Sequence, residues 1–283
     1  MMTDPRVSML RRWIEDVEKI PGEQRFAALD VRKKKELQFH DHDRNLKSRA
    51  DLEHGEYSKL HRNKKYYRTT GPRMRYLVRW IERHASDKIF LDYACGNGGN
   101  ALRAAARGAA LALGLDLSPV SVANAKAQAA AEGWAERTLF YRADAERTEL
   151  PARSIDSIVC SGTLHHLALS QAFPELRRIL APGGRILAVE ALNYNPLIRF
   201  YRATTPRLRT EWERTHILTL KDLIFARRFF RLGEVRYWNL VNIAPLDRVF
   251  PAIFLEKTDE TLCRIPVLNL LSWTFTFELL SQD

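Results

Sequence analysis

The stretch that most constrains this chain runs from Lys88 to Asn100: Lys-Ile-Phe-Leu-Asp-Tyr-Ala-Cys-Gly-Asn-Gly-Gly-Asn. Ile89, Phe90 and Leu91 read as a strand buried on both faces. Gly96, Gly98 and Gly99 follow at once and let the backbone turn sharply, with no Cβ to hold a ligand away. Ala101 to Arg107 is rich in alanine and arginine, both good helix formers. A glycine loop between strand and helix offers bare backbone N–H groups to a small polar ligand.

Acidic residues close the neighbouring apolar runs as well. Asp92 ends the first. Asp116 ends Ala109 to Leu115, eighteen residues after Gly98, where a carboxylate takes both hydroxyls of a ribose in dinucleotide-binding folds. Leu139 to Ala143 runs into Asp144-Ala145. Three acidic strand ends along one sheet edge suit a nucleoside carrying an amino-acid tail. A nicotinamide cofactor accounts for the first two features alone, and the glycine pattern lacks its third glycine.

Asp92-Tyr-Ala-Cys-Gly-Asn-Gly, Asp116, Asp144-Ala145, Ser161-Gly-Thr-Leu-His-His-Leu and Ala181-Pro-Gly-Gly together resemble the class I S-adenosylmethionine-dependent methyltransferases. The likeness is to the small-molecule, type 11/12 branch, and covers roughly Arg79 to Val189. It implies an α/β fold: a doubly wound, mostly parallel, seven-stranded Rossmann-like sheet with an N-terminal helical cap and a late antiparallel edge strand. It implies S-adenosyl-L-methionine as cofactor. Asp92, Gly96 and Gly98, with Ala94 in the same loop, would hold the methionine end. Asp116 would take the ribose hydroxyls, Leu117 flank the adenine, Asp144 accept from the adenine amino group, Ala145 offer its N–H, and Ser161 lie beneath the methionyl tail.

Taken in order, the chain supports that architecture. Leu10, Ile14 and Val17 repeat at helical spacing within Pro5–Ile20, and Pro21-Gly22 ends the helix. A second helix is predicted over Glu23–Leu46. Its Phe39-His40-Asp41 resembles a signature near the start of many small-molecule methyltransferases, where the segment closes over the site. His40, Asp41, His42 and Asp43 are adjacent and cannot share one helix face, so no metal site is expected. The pair Tyr66-Tyr67 is read as a cofactor cover, a lining of the acceptor pocket, or packing.

Met74–His84 reads as the helix leading into the first strand. Strands and helices then alternate, which implies a parallel sheet with helices on both faces. Ser118-Pro119 opens an alanine-rich helix, Ile155–Cys160 is a strand, and Pro182-Gly183-Gly184 is a tight turn before a strand over Arg185–Ala191. The expected division is a cap or lid over 1–86 and a core over 87–283 with insertions at 192–218 and 242–272. The first insertion resembles a subgroup of bacterial methyltransferases that share its Asn-Pro-Leu-Ile and Arg-Thr…Glu…His pattern. The last strand is predicted over Trp273–Leu280.

The formal charge of +11 is concentrated. Between Val31 and Lys88 stand 17 Lys and Arg against 8 Asp and Glu, an excess of nine. This admits nucleic acid, an anionic small substrate, a membrane surface, or plain solvated helix faces. Three widely spaced cysteines argue against disulfides and zinc. The absence of an apolar signal core or a membrane-spanning run leaves a cytoplasmic protein as the expectation.

For the chemistry, His165 or His166 after the fourth strand, His216 and Glu190 are the candidate catalytic groups. Methyltransferases acting on nucleobase amino groups usually carry Asn or Asp, then Pro-Pro and an aromatic, where this chain has Ser161-Gly-Thr-Leu; nucleic acid is therefore disfavoured as acceptor. The reading is methyl transfer to oxygen or nitrogen of a small or lipid-like acceptor, anionic and greasy, roofed by Pro245–Leu271 and the first insertion. The rival readings are a protein of this fold that keeps the cofactor without methylating, as in cyclisation, and an RNA methyltransferase. Peripheral membrane contact and oligomerisation are both compatible with the sequence.

Overall fold

The computed structural model describes residues 4–44, 71–243, 246 and 249–283, with side chains of the first span up to Asp41. Tyr66, Tyr67 and Pro245, and the side chains of His42 and Asp43, lie outside the described residues.

The first helix, α1 (Pro5–Lys19), starts at Asp4, whose carboxylate accepts the Arg6 N–H at 2.9 Å. The single helix predicted over Glu23–Leu46 is two: α2 (Gly22–Arg25) and α3 (Val31–Arg44). Phe26 breaks them apart, its ring held by the guanidinium groups of Arg25 and Arg142 at 5.0 and 4.0 Å. Asp30 then restarts the helix by accepting the Lys33 N–H at 2.8 Å. After the undescribed segment comes α4 (Gly71–His84).

The core follows as β1 (Ile89–Tyr93), α5 (Gly99–Ala106), β2 (Leu111–Asp116), α6 (Pro119–Ala131), β3 (Thr138–Arg142), β4 (Ile155–Ser161), α7 (Leu169–Ile179) and β5 (Leu180–Ala191). The first insertion carries α8 (Pro196–Thr204) and α9 (Glu211–Thr215), and the chain closes with α10 (Leu220–Ala226), β6 (Arg231–Trp238), α11 (Ala252–Leu262) and β7 (Thr274–Leu280). The seven strands lie in the order β3-β2-β1-β4-β5-β7-β6. The pairs from β3 to β5 are parallel, while β7 is antiparallel to both β5 and β6. The final strand is thus antiparallel as expected, one place in from the edge, with β6 outside it. β5 begins earlier than predicted, because Leu180 already pairs with Ile155 and the Pro-Gly-Gly turn is absorbed as a register shift.

Successive residues of β1 point to opposite faces. Leu91 and Tyr93 join a core with Leu10 and Ile14 of α1, whereas Phe90 joins one with Tyr76, Leu77, Trp80 and Ile81 of α4. The segment 1–86 is therefore not all cap: α1 and α4 are core helices, one on each face, and α3 alone of the described helices there lies across the strand ends. No helix among the described residues is long and apolar enough to cross a membrane. The order of strands reverses between β1 and β4, and such a switch point leaves a crevice at the C-terminal strand ends.

Candidate active site

Asp92 is 2% exposed at the end of β1 and lies behind the crevice rather than in it. Its carboxylate accepts the N–H of Asn100 at 3.1 Å, that of Ala101 at 3.3 Å and the Asn100 side-chain amide at 3.2 Å, so it caps α5 and fixes the glycine loop. Gly98 also stands behind the crevice. It adopts φ +77° at the head of α5, and a Cβ there would sit 2.6 Å from the Phe140 ring. These two residues shape from beneath the loop that was expected to hold the methionine end.

Burial pushes the Asp92 carboxyl up to about 7, against its three donors, which act to lower it. The folded protein then keeps a proton that the unfolded chain releases above about 3.8, so this group's stability contribution is full at acid pH and is lost as pH rises towards about 7. We expect Asp92→Asn to remove that slope. Thermal midpoints of wild type and variant should lie closest below about pH 3.8 and separate as pH rises to about 7, with the variant gaining on the wild type; parallel pH curves would contradict this.

The crevice itself encloses about 190 Å³. Ala94, Gly96, Asp116, Leu117, Asp144, Ala145 and Ser161 all line it. Asp116 Oδ2 accepts the Gly96 N–H at 2.8 Å and Oδ1 the Ser118 N–H at 2.9 Å, which ties the carboxylate to the loop. Such a carboxylate retains lone pairs for a vicinal diol. Leu37 and Leu167 add apolar walls suited to a planar base.

The cover is α3. In its basic run Lys33 Nζ lies 2.6 Å from Asp144 and 2.7 Å from Glu146, and Arg32 lies 2.7 Å from Glu146. Ser118 also donates its hydroxyl to Asp41. The excess positive charge read from the sequence is thus partly spent inside the protein, holding α3 onto the strand ends. Helical spacing of Arg32, Lys33, Glu36 and His40 was the available signal.

Among the described residues, Glu36, His40 and His166 bring ligand-capable atoms within 4.8 Å of one another. Glu36 Oε2 lies 2.9 Å from His166 Nδ1 and 3.6 Å from His40 Nε2, and Thr210 donates to its other oxygen. Burial would raise this carboxyl, but the bonds from His166, His40 and Thr210 hold it well below the usual range. An ionised carboxylate between two imidazoles ties α3 to the loop after β4 and to the first insertion.

Beyond Ser161 and Gly162, which line both spaces, is a second cavity of about 250 Å³. His165 and Glu190 face it. Glu190 Oε1 accepts the N–H groups of Thr163 at 2.9 Å and Leu164 at 2.8 Å, and Oε2 lies 2.6 Å from His165 Nδ1. A carboxylate can only accept, so the proton in this contact stands on His165 Nδ1. His166 lines the first crevice instead. His216 belongs to neither: it is exposed, stacked 3.4 Å from Trp212 at the end of α9, and drops out as a catalytic candidate.

The expected roof is corrected too. The first insertion does close the second cavity, through Arg202, Arg209, Glu213 and Ile217. The described part of the stretch to Leu271 does not line it: Ile253, Phe254 and Val267 are 66%, 54% and 77% exposed. The cavity walls are largely polar, not greasy.

Residues 90–184 match the family model described as a methyltransferase domain. Ribosomal protein L11 methyltransferase of Yersinia pseudotuberculosis serotype IB (strain PB1/+) is 31% identical over 101 residues, 35% of this chain and 34% of that protein. The 27-O-demethylrifamycin SV methyltransferase of Amycolatopsis mediterranei (strain S699) is 32% identical over 103 residues, 36% of this chain and 38% of that protein. The similarity thus spans little more than a third of these curated relatives. Geranyl diphosphate C-methyltransferase from Streptomyces coelicolor A3(2), solved with Mg2+, geranyl diphosphate and S-adenosyl-L-homocysteine, superposes at a TM-score of 0.54 and 15% identity, over 82% of this chain and 85% of that one. That last likeness is one of fold.

Proposed function

We propose, from a core that is a class I S-adenosylmethionine-dependent methyltransferase domain, that this chain methylates an oxygen or nitrogen of a small molecule seated in the second cavity. The observation that carries the reading is the meeting of two spaces at Ser161 and Gly162, one with the cofactor set and the other with a carboxylate-locked histidine.

S-adenosylmethionine, when bound, supplies a methyl group already activated by its sulfonium. The remaining work falls to the chain's own residues. Asp116 would hold the ribose hydroxyls, the Gly96 loop the methionine end, and Leu117 with Leu37 the base. Lys33 and Arg32 keep α3 closed over these groups, which limits water at the reacting centre. His165 would take the acceptor's proton at Nε2, with Glu190 stabilising the imidazolium that results.

The size of the second cavity suits a small molecule or the head of a larger one. The burial of Arg32 and Lys33 in ion pairs removes part of the charge that a nucleic-acid reading relied on. The test is release of S-adenosylhomocysteine across a panel of small acceptors. With an active acceptor, His165→Gln should lower kcat by about 100-fold or more while S-adenosylhomocysteine affinity holds. An unchanged rate would remove His165 from the chemistry, and no release with any acceptor would leave the transfer reading without support.

A further inference from the structure

The cluster of Glu36, His40 and His166 takes no part in the transfer proposed above. Glu36 and His40 stand one turn apart on α3, so their side chains share a face, and His166 meets them from the loop after β4. Neighbours in sequence could not join His40 on one helix face; a residue one turn away and another from across the crevice do. Glu36 Oε2 lies 2.9 Å from His166 Nδ1 and 3.6 Å from His40 Nε2. Bonds of about 2.0–2.1 Å to one zinc ion set two ligand atoms about 3.3 Å apart in a tetrahedral array. The two Glu36 separations straddle that spacing. A carboxylate only accepts, so a proton lies between Glu36 Oε2 and His166 Nδ1, where a cation would bridge them.

Further contacts hold the cluster in place, as outer partners orient metal ligands. Thr210 donates its hydroxyl to Glu36 Oε1, which leaves Oε2 to the imidazoles. Arg32 donates to the His166 carbonyl at 2.8 Å and steadies that loop, while its own charge is met by Glu146 at 2.7 Å. Glu36 is 7% exposed, and carboxylates so far withdrawn from water are paired or bound to a metal. All three residues line the crevice, which gives an ion its way in.

We propose that Glu36, His40 and His166 hold one divalent transition-metal ion, of the zinc or cobalt class, which clasps α3 over the crevice. Two imidazole nitrogens and one carboxylate oxygen suit such ions better than magnesium or calcium, which take oxygen ligands. Three protein ligands leave a further position for water. Two of the ligands belong to the cover and one to the sheet-end loop, so the full set forms only while α3 is closed. Ion and cofactor then favour the same closed state, and each tightens the other. That link rests on reading the crevice as the cofactor site.

The test uses untagged full-length protein, stripped with a chelator and titrated with Co2+, Zn2+ and Mg2+. One Co2+ per chain should bind at micromolar affinity or tighter, with the visible absorption of an ion held by nitrogen and oxygen at low coordination number. Zn2+ should displace it and Mg2+ should not. His40→Gln and His166→Gln should each weaken Co2+ about 100-fold or more, since even an outer partner is worth about 10–100-fold, and Thr210→Val should weaken it about 10-fold, with Thr210→Ser close to wild type. Thermal midpoints without metal show whether the variants are folded. Independently of any variant's folding, Zn2+ should shift the wild-type imidazole resonances of His40 and His166 and leave those of His84 in place. Saturating Zn2+ should tighten S-adenosylhomocysteine about 5-fold or more in wild type but not in His166→Gln. Absence of the Co2+ absorption, equal Co2+ affinity in both folded histidine variants, or S-adenosylhomocysteine affinity indifferent to Zn2+ in protein that binds the ion would overturn the proposal. Failure of S-adenosylhomocysteine to bind with or without the ion would strike the cofactor reading instead, and the metal titrations would still decide the site.

Discussion

Asp116→Ala should weaken binding of S-adenosylhomocysteine by roughly 100-fold or more. Hydrogen bonds to a charged group contribute about 1.5–3 kcal/mol each, and two ribose hydroxyls on one carboxylate exceed the 2.7 kcal/mol that corresponds to 100-fold. The same carboxylate anchors the Gly96 and Ser118 N–H groups, so the variant also loosens the loop meant to receive the methionine end. Equilibrium dialysis with labelled ligand measures the loss, and the thermal midpoint shows whether the variant is folded. Affinity within 3-fold of wild type in a folded variant would show that this carboxylate does not touch the ligand.

The other large effect is on stability. Phe140 fills the space beneath the glycine loop. A Cβ at Gly98 would lie 2.6 Å from its ring and 2.9 Å from the Ala125 Cβ, and a Cβ at Gly114 would lie 2.5 Å from the same ring. Gly98→Ala combines overpacking, about 1–3 kcal/mol, with left-handed backbone strain at φ +77°, about 1–2 kcal/mol. At about 2–4 °C per kcal/mol for a chain of this class, the midpoint should fall by roughly 10 °C. Gly114→Ala carries the overpacking term alone. Adding Phe140→Leu should therefore relieve most of the Gly114→Ala cost and less of the Gly98→Ala cost. Equal relief at both sites would mean that the backbone conformation at Gly98 contributes nothing.

The core was legible because its signals are local. A strand, a glycine loop and a helix cap are each set by neighbours in sequence, and acid residues at successive strand ends fall in register once the strands pair. Seven of the nine residues proposed for the cofactor line one crevice on that basis. Asp92 and Gly98 read the same way in sequence, yet their burial depends on α5 and Phe140 folding over them. The break at Phe26 was invisible for a related reason: the ring is held by Arg142, over a hundred residues away.

The second cavity was the least readable part. Nothing local in the sequence marks Arg202 and Arg209, and only tertiary packing brings them beside Arg73 and His165. His216 failed in the opposite direction. Its neighbourhood suggested chemistry, whereas stacking on Trp212 turns it to the outside. The apolar segment containing Ile253 and Phe254 suggested a roof because composition carries no information on which face of a helix meets the core.

Calorimetric titration of the folded wild-type protein with S-adenosylmethionine and with S-adenosylhomocysteine bears on the central claim most directly. The account predicts one site per chain, saturable with either compound, at micromolar affinity or tighter. Heats indistinguishable from dilution with both would mean that the crevice at the strand ends is not a cofactor site, and the functional reading built on it would go with it.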